Sequence, residues 1–114
     1  MSKPKPTTYT TILAAPATEF NGDFVQSMAD RMAVSFYKYG AMASADIDVA
    51  ATIAKRLALY LETGNTEWLV DVANFALIEF SPPTHADAHY RPTDSNESPG
   101  RVDPLGNTST DRNI

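Results

Sequence analysis

The chain contains no cysteine, which excludes disulfide bonds and thiolate metal ligands. It also lacks any apolar run long enough to cross a bilayer. The polar segment at residues 1–11 has no hydrophobic stretch like that of a secretory signal, so we expect a cytoplasmic location.

A chain of 114 residues with 43% hydrophobic residues has the length and composition of one small globular domain. Because one small core gives limited stability, we expect a homo-oligomer.

Basic charge is also scarce. Nine Lys and Arg residues oppose 14 Asp and Glu residues, which gives a net charge of −5. Affinity for the phosphate backbone of a duplex comes mainly from clustered Lys and Arg side chains, and no such patch is present. Lys3 and Lys5 are too few to anchor the chain to a membrane. We therefore expect neither duplex nucleic acid nor a membrane as a partner.

Proline divides the chain into three parts. Residues 1–20 carry three of the eight prolines and form a predicted extended arm, with a β-prone stretch at 9–13. Residues 21–80 form the predicted helical domain. Residues 81–114 hold the other five prolines and few apolar side chains, so they form a predicted polar tail. The expected fold is all-α: a three-helix antiparallel bundle with an extended N-terminal arm and a long irregular C-terminal tail.

The first predicted helix begins after Asn21, a favourable N-cap residue, and ends at Gly40. Its apolar side chains recur at helical spacing, which is typical of core packing. They are Phe24, Val25, Met28, Met32, Phe36 and Tyr39.

The second and third predicted helices form a hairpin. Ser44 or Asp46 caps the second helix, and Gly64 ends it. One apolar face of that helix contains Ile47, Ala50, Ala54, Leu57 and Leu61, with Ile53 and Tyr60 beside it. Asn65 or Thr66 caps the third helix, which two prolines terminate after Phe80. Apolar residues cover most of its circumference, so we expect it to be the most buried of the three.

Two carboxylates on the third helix are candidate metal ligands. Glu67 and Asp71 lie four residues apart, so both project from one face and could share a Mg²⁺ ion. The structural alternative is that Glu67 complements the helix dipole while Asp71 pairs with Arg56 or Lys55.

Five other polar side chains could bind a ligand. Asn74 follows on roughly the same face as Asp71, where it either joins two helices or belongs to a polar site. Lys38 and Arg56 could reach a triphosphate, although Lys38 also complements the dipole of the first helix. His85 and His89 would need a third ligand and a rigid frame to hold zinc.

Three stretches of this sequence resemble small phage-encoded helical proteins related to the MazG-like, all-α nucleoside triphosphate pyrophosphohydrolases. They are Lys38-Tyr39-Gly40, Ala54-Lys55-Arg56-Leu57 and the run from Glu67 to Ala76, and the resemblance spans residues 28–80. It implies cleavage of a nucleoside triphosphate with Mg²⁺. Glu67 and Asp71 would then be catalytic and hold the metal together with Asp30, while Lys38, Arg56 and Asn74 would bind the substrate.

The first helix departs from this pattern, because two acids one turn apart are expected there and Asp23 and Asp30 are seven residues apart. The leading hypothesis is a nucleotide-binding or nucleotide-hydrolysing protein that acts as a homo-oligomer in the host cytoplasm. The alternative is a non-catalytic helical protein that binds a host or phage protein through its arm and tail. Convergence of the acids on an open cleft favours the first hypothesis, whereas an Asp71 packed against Arg56 without a cleft favours the second.

Overall fold

The computed structural model describes residues 16–41, 46–94 and 96–109. Within them lie three helices, α1 (Gly22–Tyr39), α2 (Val49–Thr63) and α3 (Glu67–Phe80). Two short strands, β1 (Arg101–Val102) and β2 (Thr108–Ser109), pair antiparallel in the tail. The expected all-α fold with three helices is confirmed. Most of the predicted N-terminal arm, including the β-prone stretch at 9–13, lies outside the described residues.

The boundaries of α1 follow the predicted capping residues. The side chain of Asn21 accepts a hydrogen bond from the backbone N–H of Phe24 at 3.2 Å, which satisfies a free donor of the first turn. Gly40 has φ of 80°, a conformation that costs glycine little, and its N–H donates to the carbonyl of Phe36. Gly64 ends α2 in the left-handed conformation, as predicted.

The predicted N-cap of α2 was wrong. Asp48, rather than Asp46, occupies the cap position, and its side chain accepts a hydrogen bond from the N–H of Ala51 at 2.9 Å. Asp46 and Asp48 are both acceptable caps by residue type, so sequence could not choose between them. Ser44, the other candidate, lies outside the described residues. Ile47 accordingly precedes the helix instead of belonging to its apolar face.

At the start of α3 the two predicted capping residues divide the task. Thr66 occupies the cap position but makes no side-chain hydrogen bond there. Asn65 supplies the acceptor, because its side-chain oxygen receives the N–H of Glu67 at 3.0 Å. The helix ends at Phe80, immediately before Ser81 and the two prolines, as expected.

Helix α3 is the central element of the described fold. It packs against both α1 and α2, whereas α1 and α2 make few contacts with each other. Two of the three buried residues of the described chain, Val70 and Asn74, belong to α3, and the third is Val49 at the start of α2. No helix in the described part of the chain is long and apolar enough to span a membrane.

The tail after α3 is mostly irregular and exposed. The Glu79 carboxylate accepts hydrogen bonds from the N–H and the hydroxyl of Thr84, at 2.8 and 3.0 Å, and so holds the chain back against the end of α3. Arg91 pairs with Glu97 further along. The hairpin β1–β2, whose two strands have two residues each, is the only regular structure among residues 81–94 and 96–109.

Candidate functional site: a cationic cavity between the helices

A cavity of about 410 Å³ opens between the C-terminal half of α1, the middle of α2 and the length of α3. The cavity exists because α1 and α2 both pack against α3 but make few contacts with each other. The charged residues of its described lining are three cations and one carboxylate: Arg31, Lys38, Arg56 and Asp71. Asn74, Ser35 and the aromatic rings of Tyr39, Trp68 and Phe75 also line the cavity. The remaining described lining residues are aliphatic: Met32, Val34 and Ile78.

Asp71 lies between two arginines. Arg31 Nη2 donates to Asp71 Oδ1 at 3.2 Å, and Arg56 Nε lies 3.7 Å from Asp71 Oδ2. The Asp71 side chain is only 13% exposed, so most of its charge is compensated by these guanidinium groups rather than by solvent. Asp71 therefore pairs with Arg56, as the structural alternative from the sequence expects. An open cavity nevertheless lies beside this ion pair.

Arg56 has hydrogen-bonding capacity left over. Its guanidinium stacks on the Phe75 ring, with 4.7 Å between Cζ and the ring centroid. Nε is buried and has no hydrogen-bond partner, since 3.7 Å to Asp71 satisfies an ion pair but is too long for a hydrogen bond. Because Nε itself is buried, the terminal nitrogens of this guanidinium, whose side chain is 30% exposed, are the donors that an anion in the cavity could reach.

Asn74 joins two helices and also faces the cavity. Its side-chain Nδ2 donates to the backbone carbonyl of Met28 at 3.0 Å, which connects α3 to α1. Its residue is buried, yet it contributes to the cavity lining. Both roles that its sequence position suggested are therefore combined in one side chain.

Lys38 lies at the exposed end of the cavity. Its ammonium is 5.4 Å from the centroid of the Tyr39 ring, and no described carboxylate pairs with it. A flexible ammonium at this position can reach a charged group in the cavity without breaking an existing ion pair.

The three carboxylates expected to hold a metal are divided between two cavities. Glu67 binds Arg31 Nη1 at 3.1 Å, so the same guanidinium contacts both Glu67 and Asp71. Asp30 accepts a hydrogen bond from Gln26 Nε2 at 2.9 Å and lines a neighbouring cavity with Glu67, whereas Asp71 lines the central one. The described residues include no group of three or more His, Asp or Glu side chains placed to hold a metal ion. The magnesium role stays a prediction.

The two histidines make local contacts in the tail. His85 Nδ1 accepts a hydrogen bond from the N–H of Asp87 at 2.9 Å, and His89 Nδ1 lies 2.8 Å from the carbonyl of Asp87. Both side chains belong to exposed residues that follow α3. These contacts explain the histidines as turn-forming residues, away from the central cavity.

Sequence reasoning missed Arg31, the side chain with the most contacts to the acids of the site. Arg31 lies between the apolar positions Met28 and Met32. The spacing of apolar residues in this helix does not indicate a functional role for a single arginine. Only the lateral placement of α1 on α3 brings it to Glu67 and Asp71. Arginines adjacent to a predicted apolar stripe were the available signal.

No family of known proteins matches this chain, and neither the curated proteins nor the solved structures contain a match. The residues of the cavity alone therefore indicate its chemistry. Cations, one carboxylate, an amide and aromatic rings form a suitable environment for an anionic ligand that carries a flat ring.

Proposed function

We propose that the chain is a cytoplasmic homo-oligomer that binds nucleoside phosphates in the central cavity, as a relative of the MazG-like helical proteins. The observation that carries this proposal is the concentration of Arg31, Lys38 and Arg56 around one cavity in a chain with a net charge of −5. Cations gathered in one concave site attract an anion more strongly than the same charges scattered over a surface.

The geometry of the cations supports phosphate in particular. Arginine presents a planar set of donors that matches phosphate oxygens, and the lysine adds a mobile charge. The terminal nitrogens of Arg56 make no hydrogen bond among the described residues, and Lys38 has no carboxylate partner there. Both can therefore bind phosphate oxygens without giving up a hydrogen bond.

The ring surfaces of the cavity support a nucleoside attached to the phosphate. Trp68, Phe75 and Tyr39 all contribute to the lining. Stacking of a base on an aromatic side chain contributes about 1–3 kcal/mol. The volume of about 410 Å³ lies within the usual range for small-molecule sites.

The central cavity is proposed to bind nucleoside phosphates without breaking a bond in them. Metal-assisted phosphoryl chemistry requires ions that offset the developing charge. Glu67 and Asp71 would have to leave Arg31 to serve as ligands of such an ion. Hydrolysis with Mg²⁺ held by Glu67, Asp71 and Asp30 is thus a separate prediction that rests on the sequence resemblance alone.

Thermal unfolding with a panel of deoxynucleoside triphosphates, with and without Mg²⁺, tests the proposal. A ligand at 100 times its Kd stabilises the native state by about 2.7 kcal/mol and raises the midpoint accordingly. Lys38→Gln should reduce the shift, whereas Arg101→Gln should not, because Arg101 is exposed in the tail hairpin and does not line the cavity. No shift with any triphosphate, or equal losses in the two variants, would contradict nucleotide binding.

Exposed apolar side chains favour a second function, binding of another protein chain. Tyr37 is 89% exposed on α1, and Tyr90 and Leu105 are almost as exposed in the tail. Contact with a host or phage protein through the arm and tail is the competing proposal. It gains if the chain binds no triphosphate but loses a protein contact when Tyr90 and Leu105 are replaced by serine.

A further inference from the structure

Helix α2 has two apolar faces, and only one of them is covered. Val49, Ile53 and Tyr60 are buried or half-buried. The other face consists of four alanines and two leucines, all exposed: Ala50, Ala51, Ala54, Leu57, Ala58 and Leu61. At 100° per residue these six positions cover an arc of about 120° without a polar side chain. This is essentially the apolar face that sequence indicated, but in the single chain it points away from the core.

We propose that this outer face of α2 binds the same face of a second copy, with the two helices antiparallel across a two-fold axis near Ala58. The inference deepens the homo-oligomer proposed above and does not depend on nucleotide binding. Leu61 is 76% exposed and Leu57 is 43% exposed, so both leucines have surface left to bury. Alanines between them allow two helices to approach closely, while the leucines fill the space beside them.

Two charges on one edge of this face identify a second copy as the occupant. Lys55 and Glu62 lie seven residues apart, about 10 Å along the helix, and project from the same side. Neither forms an ion pair within the described part of the chain. A two-fold axis reverses the helix direction but keeps this edge on the same side, so each Lys55 meets Glu62 of the partner subunit.

The same register aligns the apolar residues. Ala54 of one copy faces Leu61 of the other, and the two copies of Ala58 face each other at the axis. A small residue opposite a large one is the arrangement that allows two helix surfaces to interlock. The face is therefore complementary to itself both in shape and in charge, as an interface between identical subunits requires.

The limited core of the single chain supports the same conclusion. Val49 and Val70 are the only buried apolar residues among those described. A small domain with so little buried surface gains stability from association. Arg56 lies on the opposite side of α2 from Ala54 and Leu61, so the proposed interface leaves the central cavity accessible.

Measurement of the mass in solution, by light scattering on a sizing column, is the first test. The full chain should have twice the 12.4 kDa mass of one copy. Leu61→Glu should give a monomer with intact helical content, because Leu61 makes little contact within its own chain. Leu105→Glu is the matched control, since Leu105 is 87% exposed in the hairpin and should remain dimeric. A monomeric wild type, or a dimeric Leu61→Glu variant, would overturn the proposal.

Charge reversal tests the register. Lys55→Glu should weaken the dimer about 10-fold, since both symmetry-related ion pairs become repulsive. Glu62→Lys should weaken it similarly, and the double variant Lys55→Glu/Glu62→Lys should restore the wild-type Kd to within about two-fold, because the pairs reform with the charges exchanged. A double variant weaker than either single variant would overturn the antiparallel arrangement.

The absence of cysteine allows a geometric test. Ala58→Cys introduces the only thiol, and a two-fold axis near this position should let two copies form a disulfide, which requires Cα atoms within about 7 Å. Ala33→Cys, on the exposed side of α1, is the control and should stay reduced under the same mild oxidant. Equal cross-linking of both variants would count against the interface. The nucleotide-induced shift should persist in Leu61→Glu, which separates failure of this interface from failure of ligand binding.

Discussion

Asp71→Asn is the substitution that separates the charge-based account from the metal-based one. Among the described residues that line the central cavity, Asp71 is the only carboxylate, and it lies beside three cations. Asparagine keeps the shape of the side chain and removes its charge. Under the proposed function, the variant should be less stable than the wild type but should bind triphosphates more tightly.

The loss of stability follows from the ion pairs. Removal of one partner of a fully buried pair costs about 3–5 kcal/mol. Asp71 is 13% exposed, but Arg31 and Arg56 retain 46% and 30% exposure, so solvent reduces the cost. We expect about 1–2 kcal/mol, which corresponds to a decrease of about 5–10 °C in the unfolding midpoint for a domain of this size.

The gain in affinity follows from the removal of a repulsive charge. Two unit charges about 4 Å apart in water interact by about 1 kcal/mol, and more strongly where solvent is partly excluded. A triphosphate should therefore bind Asp71→Asn at least about five-fold more tightly than the wild type. Isothermal titration calorimetry at 25 °C and fixed ionic strength measures this difference directly.

Glu67→Gln is the control for both effects. Glu67 binds the same Arg31, but its side chain is 57% exposed and does not line the central cavity. We expect a change of less than about 0.5 kcal/mol in stability and less than about two-fold in affinity. Weaker triphosphate binding by Asp71→Asn than by the wild type would refute the charge argument and favour Asp71 as a metal ligand.

Three further predictions concern the structure of the helices and the tail. Asn74→Ala should cost about 1 kcal/mol in urea unfolding, because it removes the hydrogen bond that joins α3 to the Met28 carbonyl of α1. Asp48→Ala should lower stability by about 1 kcal/mol through loss of the α2 cap, whereas Asp46→Ala should have no measurable effect. Arg91 holds the pKa of the Glu97 carboxyl below its usual value. The Arg91–Glu97 pair therefore has a small stabilising effect that is present above the ordinary Glu pKa and is lost as pH falls. Arg91→Gln should raise the pKa of Glu97 in an NMR titration.

The helices were predictable because their ends are determined locally. Asn21, Gly40 and Gly64 each act within one turn of the chain, through a side-chain acceptor or a positive φ. The choice between Asp46 and Asp48 was not predictable, since either residue could cap the helix. It depends on how the start of α2 packs in the fold, where Val49, the residue directly after Asp48, is buried.

The site was predictable in part. Asp71 and Asn74 share a face of α3 by spacing alone, and Arg56 follows from the short hairpin between α2 and α3. Arg31 was missed because the rotation and offset of α1 on α3 are determined by tertiary packing. Arg31 forms ion pairs with Glu67 and Asp71 and so changes their chemistry. Its position therefore matters more for the site than for the fold.

The outer face of α2 is a second feature whose partner could not be predicted from the sequence. Periodicity indicated an apolar face at Ala50, Ala54, Leu57 and Leu61, and the face exists. Periodicity does not say whether such a face meets its own chain or another one. The exposure of Leu61 in the single chain is what identifies it as surface available to a second copy.

Fluorescence of Trp68 tests ligand binding in the central cavity most directly, because Trp68 is the only tryptophan in the chain and lines that cavity. A deoxynucleoside triphosphate should change its emission saturably in the absence of Mg²⁺, and the corresponding nucleoside without phosphates should bind far more weakly. An unchanged emission with every triphosphate, or equal responses to nucleoside and triphosphate, would contradict the cationic cavity as a nucleotide site.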